Sequence, residues 1–371
     1  LIPGTRLEAY GHGDWNDSLQ PADPALRDHL CSSWTVTLHY QVLVSLASAL
    51  GGVGESVLAG LLEIEAKEIL ADFRKHLLVD GVIPGYVNFE DPEAVAYLLH
   101  PLDHKTGLRY SLLPMIHAVI NHMLTPEEAK QHFDLIEAHL KGPDGARLFD
   151  RPMVYRGGPM RIFQRAETAT YFGREIGLMY THAHLRYAEA LWQFGHAEAF
   201  FEALSKAIPI GVKDLVKTAA SRQANCYFSS SDATFRDRYE AYEKYDLIRE
   251  DGVSLEGGWR VYSSGAGIAS GLILKSLFGL RVTRQAICID PLIPKALAGL
   301  RIELDLGGHR FDVRYNRGSQ GVGPVALRLN GTPLNFERVE NPYRMGGVRV
   351  DSALWGEALV SGVNRLDIDL S

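Results

Sequence analysis

The chain has 371 residues, of which 46% are hydrophobic and 22% charged, with a formal net charge of −7; this is the composition of a globular protein long enough for more than one hydrophobic core. The acidic balance excludes a nucleic-acid partner, because no basic stripe is present to neutralise phosphates, and no apolar run reaches the ~20 residues that span a bilayer, so no membrane partner is expected. Three widely separated cysteines, Cys31, Cys226 and Cys288, form neither a disulfide framework nor a CxxC metal motif, and with an N-terminal stretch that lacks signal-peptide layout they point to a cytoplasmic protein with reduced thiols.

Chemistry is concentrated almost at the first residue. The segment from Gly11 to Gln20 sets two carboxylates, Asp14 and Asp17, beside the Trp15 indole and the Asn16 amide, between small and bendable residues. A carboxyl group next to an aromatic platform is what a carbohydrate site needs: the sugar ring stacks on the indole while a protonated acid donates to the glycosidic oxygen. The spacing alone also allows a plain helix cap.

From Trp34 to about Leu280 apolar residues recur at helical spacing, as in Leu38, Val42, Leu43, Leu46, Ala49 and Leu50, and then Leu58, Leu61, Leu62, Ile64, Ile69 and Leu70. Further helices are expected over 110–123, 126–140, 175–195, 197–206, 210–220 and 263–279, with Thr125-Pro126 opening one of them. Between them lie irregular stretches over 80–110, 141–175 and 221–262, a pattern that predicts a helical toroid whose loops gather at one mouth.

Two loop-to-helix junctions in this region carry further polar groups. In the run from Arg174 to Ala190, His182 and His184 are two residues apart, which is unsuited to a metal on one helix face; a helix starting near Thr181 would instead offer its free N–H groups and a histidine to an anion, or simply bury both histidines. Downstream, Arg222 to Asp232 is dense in Asn, Gln, Ser and Tyr, and Ser263-Ser264-Gly265 precedes an apolar helix. Hydroxyls and bare N–H groups at a helix N-terminus form an oxyanion cradle, or serve as an ordinary serine cap.

After Gly279 the period changes from 3.6 to two, in runs at Ala286 to Ile289, Leu300 to Leu306, His309 to Tyr315, Val325 to Leu329, Val348 to Val350 and Leu366 to Leu370. Turn signals at Gly307-Gly308 and Asn330-Gly331 divide them, which predicts a small antiparallel sandwich of ~85 residues. The boundary is expected near 280–292, giving domains over 1–283 and 284–371.

Taken together, three ordered motifs resemble those of the inverting β-glycoside phosphorylases of the cellobiose and chitobiose phosphorylase family, glycoside hydrolase family 94. They are the Gly-x-Gly-Asp-Trp-Asn-Asp loop at Gly11 to Asp17, the aromatic-x-His-Ala core at Tyr180-Thr181-His182-Ala183, and a Ser/Thr-rich phosphate loop at Ser263-Ser264-Gly265-Ala266-Gly267. The forms Tyr227-Phe228-Ser229-Ser230-Ser231-Asp232, Asp237-Arg238-Tyr239-Glu240 and Trp259-Arg260-Val261-Tyr262 look most like the subgroup acting on 1,2-β-oligoglucans.

The resemblance implies a mainly α fold, the C-terminal part of an (α/α)6 toroid followed by the small antiparallel β-sandwich. It implies Asp17 as general acid, with Asp14, Trp15, Glu175, Gln223, Asn225 and Tyr227 on the substrate, and His182, Ser263, Ser264 and Gly265 on phosphate. Ser263-Ser264 stands where the family commonly has Thr-Gly. Neither a metal nor an organic cofactor is implied; inorganic phosphate is the co-substrate, and a β-glucooligosaccharide is converted to α-glucose 1-phosphate. A cyclic β-1,2-glucan synthase-type domain, a phosphorylase of another β-glucan linkage and a non-catalytic carbohydrate-binding fragment are the alternatives. About eight helices fall short of the twelve of a six-hairpin toroid, so an N-terminal fragment, another chain or a homodimer is expected to complete the barrel.

Overall fold

A computed structural model describes residues 1–371 apart from 171, 174–176, 224–226, 259–262 and 284, and apart from the Ser263 side chain. It divides into two compact units, Leu1–Arg186 with Pro209–Tyr262, and Tyr187–Ile208 with Ser263–Ser371.

The first unit opens with the loop noted above and β1 (Leu30–Ser32), followed by the helical hairpin α1 (Ser33–Gly52) and α2 (Ser56–His76). Ser32 caps α1 through its hydroxyl, and two glycines end the helix. Next come β2 (Tyr86–Asn88) and β3 (Ala96–Leu98), which extend β1 into an antiparallel sheet, and then α3 (Leu112–Ile120) and α4 (Pro126–Leu135). A reciprocal capping box between Thr125 and Glu128, with Pro126 at the first helical position, starts α4. The short hairpin β4 (Lys141–Gly142) and β5 (Gly145–Ala146) leads to a single turn α5 (Arg165–Thr168), then β6 (Met179–Tyr180) and α6 (Thr181–Phe194). After α7 (Ala197–Lys206), which belongs to the second unit, the chain returns to the first through α8 (Val212–Leu215), β7 (Ser230–Ala233), α9 (Arg238–Lys244) and β8 (Leu255–Gly257). Strands β6, β7 and β8 form a three-stranded antiparallel sheet.

The second unit continues with α10 (Ser263–Leu272), β9 (Leu280–Val282), β10 (Ala286–Ile289), β11 (Arg301–Leu306), β12 (His309–Asn316), β13 (Pro324–Leu329), β14 (Thr332–Pro333), β15 (Glu337–Arg338), β16 (Val348–Asp351), α11 (Ser352–Glu357) and β17 (Val363–Leu370). These strands make two sheets, β15-β16-β10-β9 and β11-β12-β17-β13-β14. Their inner faces bury Ile287, Ile289, Phe311, Val313, Val350 and Leu366, with Trp355 of α11 against them. The β13–β14 turn carries Asn330 at φ +54° and Gly331 at φ +85°, as the Asn-Gly signal foretold.

The expectation of a mainly α chain, part of an (α/α)6 toroid followed by a small all-antiparallel sandwich, is overturned. Among the described residues 39% are helical and 21% lie in strands, spread over several sheets. Helix pairs with appreciable packing are α1 with α2 and α3, and α3 with α4, so successive helical hairpins do not recur among the described residues. Stretches expected to be irregular instead pair as short strands, such as β2 with β3 and β7 with β8, because two- to four-residue runs need only one partner across a turn. In the second unit β17 runs parallel to β12, from Arg310 opposite Val363 to Asn316 opposite Asp369, so the sheet is mixed. The helix expected over 210–220 is a single turn, Val212–Leu215, and the one over 126–140 passes into a π-helical turn after Leu135.

Candidate active site

The opening loop is shaped by glycine. Gly11 at φ +59° and Gly13 at φ +143° adopt backbone conformations that a side chain would disfavour. Asn16, not an aspartate, caps the following turn by accepting from the Ser18 amide at 3.1 Å, and Asp17 is the first residue of that turn. The Asp14 carboxylate is consumed internally: Oδ1 accepts from the Asn16 amide at 2.7 Å, and Oδ2 from the Tyr86 hydroxyl of β2 at 2.8 Å. Burial raises the Asp14 pKa from its ordinary value; hydrogen bonds from Tyr86, Ser32 and the Asn16 amide oppose that rise, and the Asp17 charge adds to it. Burial, with Asp14 next in weight, also pushes the neighbouring Tyr10 up to about 12.

Asp17 stands in a different setting, with 53% of its side chain exposed and Arg165 Nη1 3.9 Å from Oδ2. The loop is stitched to the segment that carries Arg165 by a bridge between Pro21 and Phe163, and by hydrogen bonds from Ala22 to the Ile162 carbonyl and from Gln164 to the Gln20 carbonyl, both at 2.8 Å. Beneath this segment the fully buried Arg238 of α9 donates to the carbonyls of Met153 at 2.7 Å, Ala166 at 2.9 Å and Ala169 at 3.1 Å.

Trp15 lies in an aromatic wall. Its ring centroid is 5.1 Å from Tyr180, edge-on, 6.0 Å from Trp34 and 6.2 Å from His182. Tyr180 ends β6, and His182 sits in the first turn of α6, whose start is held by the Thr181 amide donating to the Ser229 carbonyl at 2.8 Å. Burial lowers the His182 pKa, with the Arg186 charge acting in the same direction, so this imidazole is neutral over a wider pH range than a free one. Among the described residues the buried Trp34 Nε1 beside Trp15 has no hydrogen-bond partner.

The two histidines of the α6 motif take different roles. His182 is part of the aromatic wall, whereas His184 is buried and its Nδ1 accepts from the Ala146 amide of β5 at 3.1 Å. That bond assigns His184 a structural task, satisfied by a backbone N–H.

Tyr227 lies half-buried, and among the described residues its hydroxyl has no hydrogen-bond partner. Gln223 is exposed. Glu175 and Asn225 fall outside the described residues. Ser263, Ser264 and Gly265 do form a helix N-terminus, the first turn of α10, but they belong to the second unit; Gly265 is buried there. The structure thus gathers Asp14, Trp15, Asp17 and His182 within the first unit.

Several contributors carry no local signal in the sequence. Tyr86 reaches the loop because β1 and β2 pair, with Ser32 opposite Tyr86, and Trp34 lies in the first turn of α1, directly after β1. Asp232 of β7 was visible only as one polar residue in a polar run. Burial pushes its carboxyl up to about 6, against a 3.4 Å hydrogen bond from Ser230 and the charges of Arg147 and Arg222. Arg147 itself is buried and holds Asp144 at 2.6 and 3.3 Å. No group of three or more His, Cys, Asp or Glu among the described residues is arranged to hold a metal ion, and no helix is long and apolar enough to cross a membrane.

Comparison with known proteins agrees with the motifs. Residues 279–368 match the family model described as a glycoside phosphorylase C-terminal domain. A 1,2-beta-oligoglucan phosphorylase from Listeria innocua is 41% identical over 349 residues, which is 94% of this chain and 31% of that protein. The chain therefore spans about a third of the length of this curated relative. A solved structure titled "Sialidase" superposes with a TM-score of 0.50 at 11% identity, covering 87% of this chain and 27% of that one, a likeness of fold alone. Along nearly its whole length the chain is thus similar to part of a glycoside phosphorylase, and residues 279–368 match a glycoside phosphorylase C-terminal domain.

Proposed function

We propose that the protein takes part in the reversible, inverting phosphorolysis of β-1,2-linked glucooligosaccharides, releasing α-glucose 1-phosphate. An inverting hydrolase needs one carboxyl group to protonate the leaving oxygen and another to activate water across the ring. Phosphate is already an anionic nucleophile, so a single acid suffices. In this reading Asp17 gives its proton to the glycosidic oxygen as the C–O bond breaks, and a phosphate oxygen bonds to the anomeric carbon from the opposite face. Trp15 carries the sugar ring whose bond breaks, with Asp14, Glu175, Gln223, Asn225 and Tyr227 as further substrate contacts. His182 of the first unit, and separately Ser263, Ser264 and Gly265 of the second, are the proposed phosphate contacts. No metal or organic cofactor enters this scheme.

The observation that carries the reading is the contrast within one loop: Asp14 is tied up by Tyr86 and the Asn16 amide, while Asp17 is accessible, next to Trp15. The 41% identity to a protein named a 1,2-beta-oligoglucan phosphorylase supports the β-1,2 linkage in this reading. A cytoplasmic setting, where Cys31 and Cys288 stay reduced, goes with it.

We further propose that catalysis requires more polypeptide than this chain, as an N-terminal fragment, a separate chain or a second copy. The α1–α2 hairpin exposes Val42, Leu46, Val57, Leu58, Leu61 and Ile64, each between 46% and 80%, and so many large apolar side chains on one hairpin mark a contact surface.

The test is release of glucose 1-phosphate from β-1,2-, β-1,3- and β-1,4-glucooligosaccharides with inorganic phosphate, with and without the complementing polypeptide. Asp17→Asn is expected to lower the rate by about 10²–10⁴-fold, the usual worth of a general acid. Near-parental turnover by that variant on every accepted substrate overturns the assignment. Binding of oligosaccharide without turnover under all conditions would favour the carbohydrate-binding alternative.

A further inference from the structure

The second unit carries a cleft of about 560 Å3 on the solvent side of the β15-β16-β10 sheet, remote in sequence from every residue discussed as catalytic. Its volume lies in the ~300–1,000 Å3 range of small-molecule sites. The floor follows from strand register. Glu337 pairs opposite Arg349, and Asp351 stands two residues further along β16, so alternation puts all three on one face, opposite to buried Val348 and Val350. Gln285, Asn335 and Phe336 complete the lining.

Two features set this cleft apart from ordinary charged surface. On the adjoining sheet the charged side chains pair off, Arg301 and Arg314 with Asp312, Arg328 with Asp369 and Arg365 with Asp367. In the cleft they do not: among the described residues the side chains of Glu337, Arg349, Gln285 and Asn335 make no hydrogen bond or ion pair, although Glu337 and Arg349 are cross-strand neighbours. Asp351 uses one carboxylate oxygen to cap α11, accepting from the Ala353 amide at 2.8 Å. The second feature is the mixture itself. Two carboxylates flanking one guanidinium disfavour an anionic ligand, and a floor of charges disfavours a lipid. Acceptors, amides and a guanidinium around one aromatic ring suit a neutral, hydroxyl-rich molecule, whose hydroxyls both donate and accept and whose C–H face covers an aromatic surface.

We propose that this cleft is a second, non-catalytic docking site for the oligosaccharide, with Glu337, Arg349, Gln285 and Asn335 as hydroxyl partners and Phe336, which packs against the core and has the Arg338 guanidinium over its ring, offering its remaining surface as the apolar contact. It rests on the reading of the protein as acting on β-glucans. The site holds glucose residues other than those at the bond being cleaved and so raises affinity for longer chains.

The test titrates short and long 1,2-β-glucooligosaccharides into the full chain by calorimetry, comparing the parent with Phe336→Ala, Glu337→Gln and Asn335→Ala. Phe336 is half-buried, so the exposed Glu337 and Asn335 variants guard against a folding defect. The expected result is at least about tenfold weaker binding of the long oligosaccharide, with no change for the shortest and no change in glucose 1-phosphate release from it. Parental binding of long chains by all three variants overturns the cleft while leaving phosphorolysis intact. If the parent binds no glucan and releases no glucose 1-phosphate even with its complementing polypeptide, the reading beneath the proposal falls, and the cleft with it.

Discussion

The Tyr86 hydroxyl of β2 donates to Oδ2 of Asp14 in the opening loop at 2.8 Å, and this bond keeps a buried carboxylate ionisable. Burial raises the Asp14 pKa, and the Tyr86 bond opposes the rise. A group whose folded-state value lies above its unfolded one stabilises fully below the unfolded value, and the contribution is lost as pH rises through the folded value. Tyr86→Phe is therefore expected to move the Asp14 titration upward, to extend the pH range over which stability declines, and to cost about 1–2 kcal/mol at neutral pH. Carboxyl NMR titration with denaturant unfolding checks all three; an unmoved Asp14 titration contradicts the role given to Tyr86.

Asp232 gives a second pH signature, with its folded value pushed by burial up to about 6, well above the ordinary aspartate range. The sign is the same: its contribution declines as pH rises from about 4 through about 6 and stays lost above. Asp232→Asn, which mimics the neutral acid, is expected to stabilise the protein by about 2–3 kcal/mol at pH 7.5 and by little at pH 3.5. Thermal melts at the two pH values measure the difference.

Arg238 is fully buried with three backbone carbonyls as acceptors. Burial lowers its pKa to about 10, while the guanidinium stacks over Tyr155 at 5.8 Å. Arg238→Met strands three carbonyls in the segment that carries Arg165 to Asp17, so a loss of about 3–5 kcal/mol is expected. Arg238→Lys should recover only part of it, since an ammonium lacks the planar fork. Urea unfolding of both variants decides the point.

Gly145 has φ +139°, and a Cβ there would sit 2.6 Å from the His184 ring. Gly145→Ala should destabilise by more than about 2 kcal/mol through backbone strain and overlap together. His184→Ala in the same background relieves the overlap alone. A double-mutant cycle in which the two losses simply add would refute the contact as the cause.

Much of the second unit was legible because its signals are local. Asn330-Gly331 and Gly307-Gly308 fall at turns, and the alternating runs at 286–289, 309–315 and 366–370 lie within strands. The parallel register of β17 with β12 was not legible, since alternation reports which face is buried and never which neighbour a strand chooses. In the first unit the apolar spacing of 38–70 did mark helices α1 and α2, yet Val42, Leu46, Leu58 and Leu61 face solvent, so periodicity located the helices without saying what covers them. At the candidate site the loop from Gly11 to Asp17 announced itself, because its residue types are too specific for a connection. The distinction between its two acids did not, because it depends on Tyr86, about 70 residues downstream, and on Arg165.

Strand β17 lies between β12 and β13, as the central member of its sheet. During synthesis the flanking strands emerge first and must wait, edges unsatisfied, for residues 363–370 to leave the ribosome. Until then Val313 and Leu327 lack the neighbour that shields them, and the half-made sheet is open to pairing with another nascent chain. Translation arrest or frameshift within those eight residues is thus a route to aggregation, and a chaperone that holds nascent sheet edges would act at this step.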